Sequence, residues 1–118
     1  MKIKESIQGN VAVLTPSGSM MGGSDTTDLH DRVKSLISDG IKSVVIDLSK
    51  VKWMNSSGLG SLIACMTSLK NADGALKLSN ITDKVNSLLM ITQMIRIFDT
   101  YASPDRAVSA FNEEAKPE

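Results

Sequence analysis

The stretch "WMNSSGLGSL", residues 53–62, sets two serines and two glycines between an apolar run and a helix-like one. A serine on a strand-to-helix turn can be a nucleophile, but the elbow that exposes one reads Gly-x-Ser-x-Gly. This chain reads Asn55-Ser56-Ser57-Gly58-Leu59-Gly60. A nucleophilic serine also needs a base within reach. The one histidine, His30, falls on an amphipathic segment, where a surface or boundary role suits it. Gly58 and Gly60 at a helix start could turn backbone N–H groups toward a phosphate. No Lys-Ser/Thr pair follows them, as a P-loop requires, and the run is too short for a dinucleotide fingerprint. The plain structural reading has Ser57 capping a helix that begins at Gly58, with Gly60 allowing close packing on a sheet. That reading leaves Ser56, Gly58 and whatever faces them unexplained.

The elements that must position this stretch follow from hydrophobic spacing. "KIKESI" (2–7) and "NVAVLTP" (10–16) alternate apolar and polar around Gln8-Gly9-Asn10, which predicts a β-hairpin. "SGSMMGGSD" (17–25) reads as a loop. Leu29, Val33, Leu36 and Ile37 share one helical face over 25–39, with Ser24 as its cap and Gly40 as its stop. "SVVIDL" (43–48) suits a central strand covered on both faces, and Asp47 at its end is expected to hydrogen-bond a nearby loop. Leu59, Leu62, Ile63, Met66 and Leu69 mark a second helix that stops near Asp73-Gly74. "ALKLSN" (75–80) alternates like a strand, and Thr82 caps a helix carrying Val85, Leu88 and Leu89. A short strand lies within 94–101, and Ser103-Pro104 opens a last helix docked by Val108 and Phe111.

The predicted order is β-β-α-β-α-β-α-β-α, an α/β fold with an N-terminal hairpin followed by alternating strands and helices in a mostly parallel, mixed sheet. The functional edge of such a sheet lies beyond the carboxyl ends of its strands. Residues 17–24 and 52–57 therefore become neighbours.

The chain has 118 residues, 42% of them hydrophobic, and zero net charge. It suits a single domain over 1–112 with a charged tail at 113–118. Zero net charge argues against a general nucleic-acid or anionic-membrane binder. No apolar stretch approaches the length of a membrane span. The single cysteine, Cys65, permits no internal disulfide and fits a reducing cytoplasm. Cys65 is expected to be an inert packed thiol, and Trp53 to be buried at a strand end.

With these residues in view, "VVIDLSKVKWMNSSGLGSLIACMTSLKNADGALKL" resembles the central signature of the STAS domain, the domain of sulphate transporters and anti-sigma factor antagonists. The late "LLMITQMIRIFDTYASPDRAVSAF" is similar to the family's closing strand and helix, so the resemblance covers about residues 3–112. It implies the stand-alone, bacterial anti-anti-sigma type: a non-enzymatic protein without cofactor or metal. It implies phosphorylation at Ser57, the serine that immediately precedes the glycine. It also implies an anti-sigma factor that is itself a serine kinase as partner, a serine phosphatase as reset, and a cytoplasmic monomer. The partner-binding surface would comprise Met20, Met21, Ser24, Asp25, Met54, Asn55, Ser56, Ser57, Gly58 and Leu59.

Two features depart from the family pattern. Asn55 stands where the family usually has Asp, keeping the shape and losing the charge. The loop with Met20 and Met21 replaces a more rigid run. Met is adaptable at binding surfaces, so these two either meet a partner or plug the end of the core. Asn55 favours an alternative function: an unphosphorylated STAS scaffold or ligand-sensing subunit of a larger signalling assembly.

Overall fold

A computed structural model describes residues 2–115, with the side chains of 24–26 and 115 outside the description. The chain opens with β1 (Lys2–Gln8) and β2 (Val11–Met20), antiparallel across Gly9 in register Gln8 to Val11 and Lys2 to Ser17. Then come α1 (Ser24–Ser38), β3 (Ser43–Asp47), β4 (Val51–Met54), α2 (Ser56–Asn71), β5 (Ala75–Ser79), α3 (Asp83–Ile91), a 3-10 turn at Met94–Arg96, β6 (Asp99–Tyr101) and α4 (Pro104–Ala115). The sheet runs β1-β2-β3-β5-β6, parallel after the hairpin, and β4 joins it by pairing with the far end of β2.

The expected order is met except at two places, which belong together. The strand β2 does not stop at Pro16. It bends at an irregularity between Gly18 and Ser19, and its last residues pair with β4, itself unforeseen within what was read as a loop. The predicted loop 17–25 thus shrinks to Met21–Gly23. Gly23, not Ser24, occupies the cap position of α1.

Period-two alternation places Ala12, Leu14, Val44, Ile46, Leu76 and Leu78 on one sheet face, against Leu29 and Val33 of α1, Leu62, Cys65 and Leu69 of α2, and Val85 and Leu89 of α3. Val11, Val13 and Val45 point the other way, onto Ala107, Val108 and Phe111 of α4. As expected for a central strand, Val44, Val45 and Ile46 are all fully buried.

Helix ends follow local chemistry. Gly40, at φ +86°, closes α1: its N–H donates to Ile37 O and that of Ile41 to Leu36 O. Thr82 Oγ1 accepts from Val85 N and Ser103 Oγ from Arg106 N, as read from the sequence. Asp47 likewise accepts from Ser49 N at 3.0 Å and Asn80 Nδ2 at 3.3 Å.

Candidate functional site: the β2–α1 turn and the start of α2

Asn55 organises the site. Its Oδ1 accepts from Gly58 N at 3.0 Å, which makes Asn55, rather than Ser57, the cap of α2. Its Nδ2 donates to Met21 O at 3.0 Å, and its backbone N–H to Met20 O at 3.3 Å. One side chain therefore ties the end of β4 to both the helix it starts and the turn after β2. The orientation of the amide is determined by its partners, since a flip would face donor to donor and acceptor to acceptor. An aspartate could keep the cap, but its second oxygen would meet the Met21 carbonyl.

Two glycines permit this closeness. A Cβ on Gly58 would overlap the Met20 carbonyl oxygen, so backbone touches backbone there. A Cβ on Gly22 would lie 3.1 Å from Ser57 Cβ, and its φ of +106° already excludes most other residues. Gly60, expected to pack against the sheet, is exposed with open space around it. The neighbourhood of residues 17–24 and 52–57 inferred from topology is thus present, with Gly22 against Ser57.

Ser56 and Ser57 are exposed, as the first and second residues of α2. Because Gly58 N is taken by the cap, the amides of Ser56 and Ser57 are the helix-start donors without an intrahelical partner. Beside Ser57 lies a shallow cavity of about 250 Å³ between α1 and α2, lined also by Thr27, His30, Asp31, Lys34 and Ser61. The His30 Nε2 is 2.9 Å from Ser68 Oγ, so the imidazole is engaged away from Ser57. Partial burial, then the Lys34 ammonium, hold its pKa below the ordinary value, against a smaller opposing pull from Asp31. It is neutral at pH 7 and placed as a link between helices.

The other residues singled out divide clearly. Met21 is 52% exposed; Met54 and Asn55 are half-buried. Met20, Gly58 and Leu59 are buried, so they shape the surface from beneath. The side chains of Ser24 and Asp25 lie outside the described residues. Cys65 is fully buried, with a thiol pKa pushed by burial to about 12, as an inert packed thiol requires. Trp53 corrects the reading: it is 53% exposed, with Lys84 Nζ 3.0 Å from its ring centroid. The ring finds its partner in a cation on α3, which spacing along the chain does not reveal. Among the described residues no cluster of three or more His, Cys, Asp or Glu is placed to hold a metal ion, and no helix is long and apolar enough to cross a membrane.

Comparison with known proteins agrees with the fold. The anti-sigma-B factor antagonist of Staphylococcus aureus is 26% identical over 65 residues, 55% of this chain. The match spans 60% of that relative's length. A candidate anti-sigma factor antagonist of Thermotoga maritima superposes with a TM-score of 0.83 over 92% of both chains at 21% identity. An anti-sigma factor antagonist of Mycobacterium paratuberculosis gives 0.78 over 92% of both at 24%. The unphosphorylated form of the antagonist SpoIIAA gives 0.74 over 94% of this chain and 98% of its own at 14%. The STAS domain model matches residues 2–107, and the chain belongs to the STAS domain family.

Proposed function

We propose that this chain is an anti-sigma factor antagonist whose partner-binding face is switched at Ser57. The observation that carries the reading is the position of Ser57: exposed, second in α2, and against a turn that presents Met21. The unphosphorylated face, formed by Met21, Met54, Asn55, Ser56 and Ser57, docks on an anti-sigma factor that is also a serine kinase. The sigma factor is thereby released. The protein acts in the cytoplasm as a monomer, performs no catalysis itself, and is reset by a serine phosphatase.

Electrostatics supports the switch. A phosphoserine carries about −1.5 to −2 charge at neutral pH. At the start of α2 the helix dipole and the open amides favour that charge, so the domain tolerates it. A partner that had packed on a neutral hydroxyl meets a hydrated dianion instead. A hundredfold loss of affinity requires only ~2.8 kcal/mol. SpoIIAA resembles this fold about equally in its unphosphorylated and phosphorylated forms, with TM-scores of 0.74 and 0.73. That supports a switch acting at the surface and not by refolding.

Intact-mass measurement and phosphate mapping of the chain from its native cells test the reading. The expected result is a fraction carrying one phosphate, at Ser57, abolished by Ser57→Ala. A phosphate at Ser56 would overturn the residue assignment. A partner complex that forms tightly with no phosphate under any condition would favour the second reading, the unphosphorylated scaffold. The observation on its side is Asn55, whose Nδ2 is committed to Met21 O.

A further inference from the structure

We infer that the lysine-rich surface around Trp53 is a docking site for an acidic segment of a partner protein. Five lysines gather there from separate parts of the chain. Lys2 and Lys4 stand two apart on β1, opposite Ser17 and Thr15 of β2. Lys50 lies in the turn before β4, Lys52 on β4, and Lys84 in the first turn of α3. Three shallow cavities of about 170, 600 and 470 Å³ join them: the first two share Lys2, Ser17 and Lys50, the last two Ser49 and Lys52. A continuous path therefore runs from Lys4 to Lys84, past the exposed face of Trp53.

Asp83 is the one acid that lines this path. Yet the chain has 13 basic and 13 acidic residues in all. Among the described residues none of the five lysines is held in an ion pair. The buried Lys77, in contrast, is matched by both Asp99 and Glu114. Gathered like charges repel and do nothing for the fold. Lysines on edge strands can guard against unwanted pairing, which would account for Lys2, Lys4 and Lys52. It does not account for Lys50, which lies off the strands, nor for Trp53, which stays 53% exposed even with Lys84 over its ring. A large exposed aromatic flanked by cations, here Lys52 and Lys84, is the arrangement of an interface anchor with a charged rim. The length and shallowness of the path fit an extended acidic segment. Zero net charge over the whole chain disfavours a nucleic acid, whose binding demands a basic excess over the domain. The surface adjoins the Ser57 face through β4, but its charge does not depend on Ser57 being modified.

Trp53 is the only tryptophan, so its emission reports on this surface alone. The test titrates the full chain with a Glu/Leu peptide, a short DNA duplex and phosphatidylglycerol vesicles, at low and physiological salt. The expected result is a saturable change in Trp53 emission with the peptide, weakened by salt. Lys50→Glu with Lys52→Glu should weaken it about tenfold, and Lys70→Glu, on the last turn of α2, should leave it unchanged. With a labelled peptide, Trp53→Ala should weaken binding as well. The milder Lys50→Gln with Lys52→Gln keeps the test valid should charge reversal disturb folding. Peptide binding indifferent to these substitutions, or tighter binding of duplex or vesicles than of peptide, would overturn the proposal. So would lysine variants that aggregate yet bind peptide as before, which would make the lysines edge guards.

Discussion

Gly58 and Gly60 stand two residues apart on α2 and meet opposite surroundings. A methyl on Gly58 runs into the Met20 carbonyl, a backbone atom that cannot turn aside, while a methyl on Gly60 meets nothing. Gly58→Ala is therefore expected to destabilise by about 3 kcal/mol, the upper range of overpacking. Gly60→Ala should stabilise by about 0.5–1 kcal/mol through helix propensity. Chemical denaturation of the two variants checks the pair, and equal effects would mean the closeness of α2 to β2 is misread. Asn55 is subtler. Asn55→Asp keeps the cap and gains about 0.3–1 kcal/mol from the helix dipole. It loses the bond to Met21 O, worth about 0.5–1.5 kcal/mol. The two nearly cancel, so global stability should change by less than ~1 kcal/mol. Amide exchange at Met21–Gly23 should nevertheless quicken, because the tie that holds the turn is gone. Shape alone marks Asn for Asp as a quiet substitution; the hydrogen-bond donor makes it a local one.

At the scale of elements, the alternation of strands and helices was legible because each face is consistently apolar. Leu29, Val33 and Leu36 keep helical spacing, and Val11 through Leu14 alternate between two cores. The strand β4 was not legible: of its four residues one is buried, two are exposed and one lies between, so no period of two shows. Its existence depends on the bend in β2, a feature of the partner strand. Lys77 was equally hidden. In "ALKLSN" it reads as the polar half of an amphipathic strand, yet it is 1% exposed beneath α4, bonded to Glu114 at 3.0 Å and Asp99 at 3.3 Å. Phe111 lies 4.7 Å below the same ammonium. Burial alone would lower its pKa, but the hydrogen bond to Glu114 and the charge of that carboxylate outweigh burial and hold it raised.

The link between α1 and α2 carries a pH signature. His30 has a folded pKa below its ordinary value of about 6.5. In acid the unfolded chain therefore binds the proton more readily than the folded one. The stability contributed by the neutral imidazole is complete above about pH 6.5 and is lost as pH falls through the depressed folded value. The groups facing it are Lys34 and Asp31 on α1 and Ser68 on α2. Denaturation midpoints measured from pH 7.5 down to 5 should fall for the wild type and fall less for His30→Gln. Parallel curves would show that His30 does not report on this interface.

Across the whole molecule, the juxtaposition of two distant segments was legible from topology, since both follow the carboxyl ends of strands. The identity of what touches what was not. Met20 and Met21 are adjacent and chemically alike, and one is fully buried while the other is exposed. The bend in β2 decides which, and no local spacing encodes it. The same arrangement dictates what a charge at Ser57 does to the molecule. The site rests on rigid parts: a capped helix, a backbone contact at Gly58 and a paired strand. A negative group on the second residue of α2 points outward, where water and the helix dipole both favour it. Ser57→Asp is therefore expected to shift the thermal midpoint by no more than a few degrees, corresponding to ~1 kcal/mol or less, and to leave the amide exchange of the sheet unchanged. Partner affinity should fall by a hundredfold or more, because the interface has no way to hydrate the charge it covers. Calorimetry and binding on one preparation separate the two effects. A large loss of stability with affinity intact would place Ser57 in the fold and not in the switch.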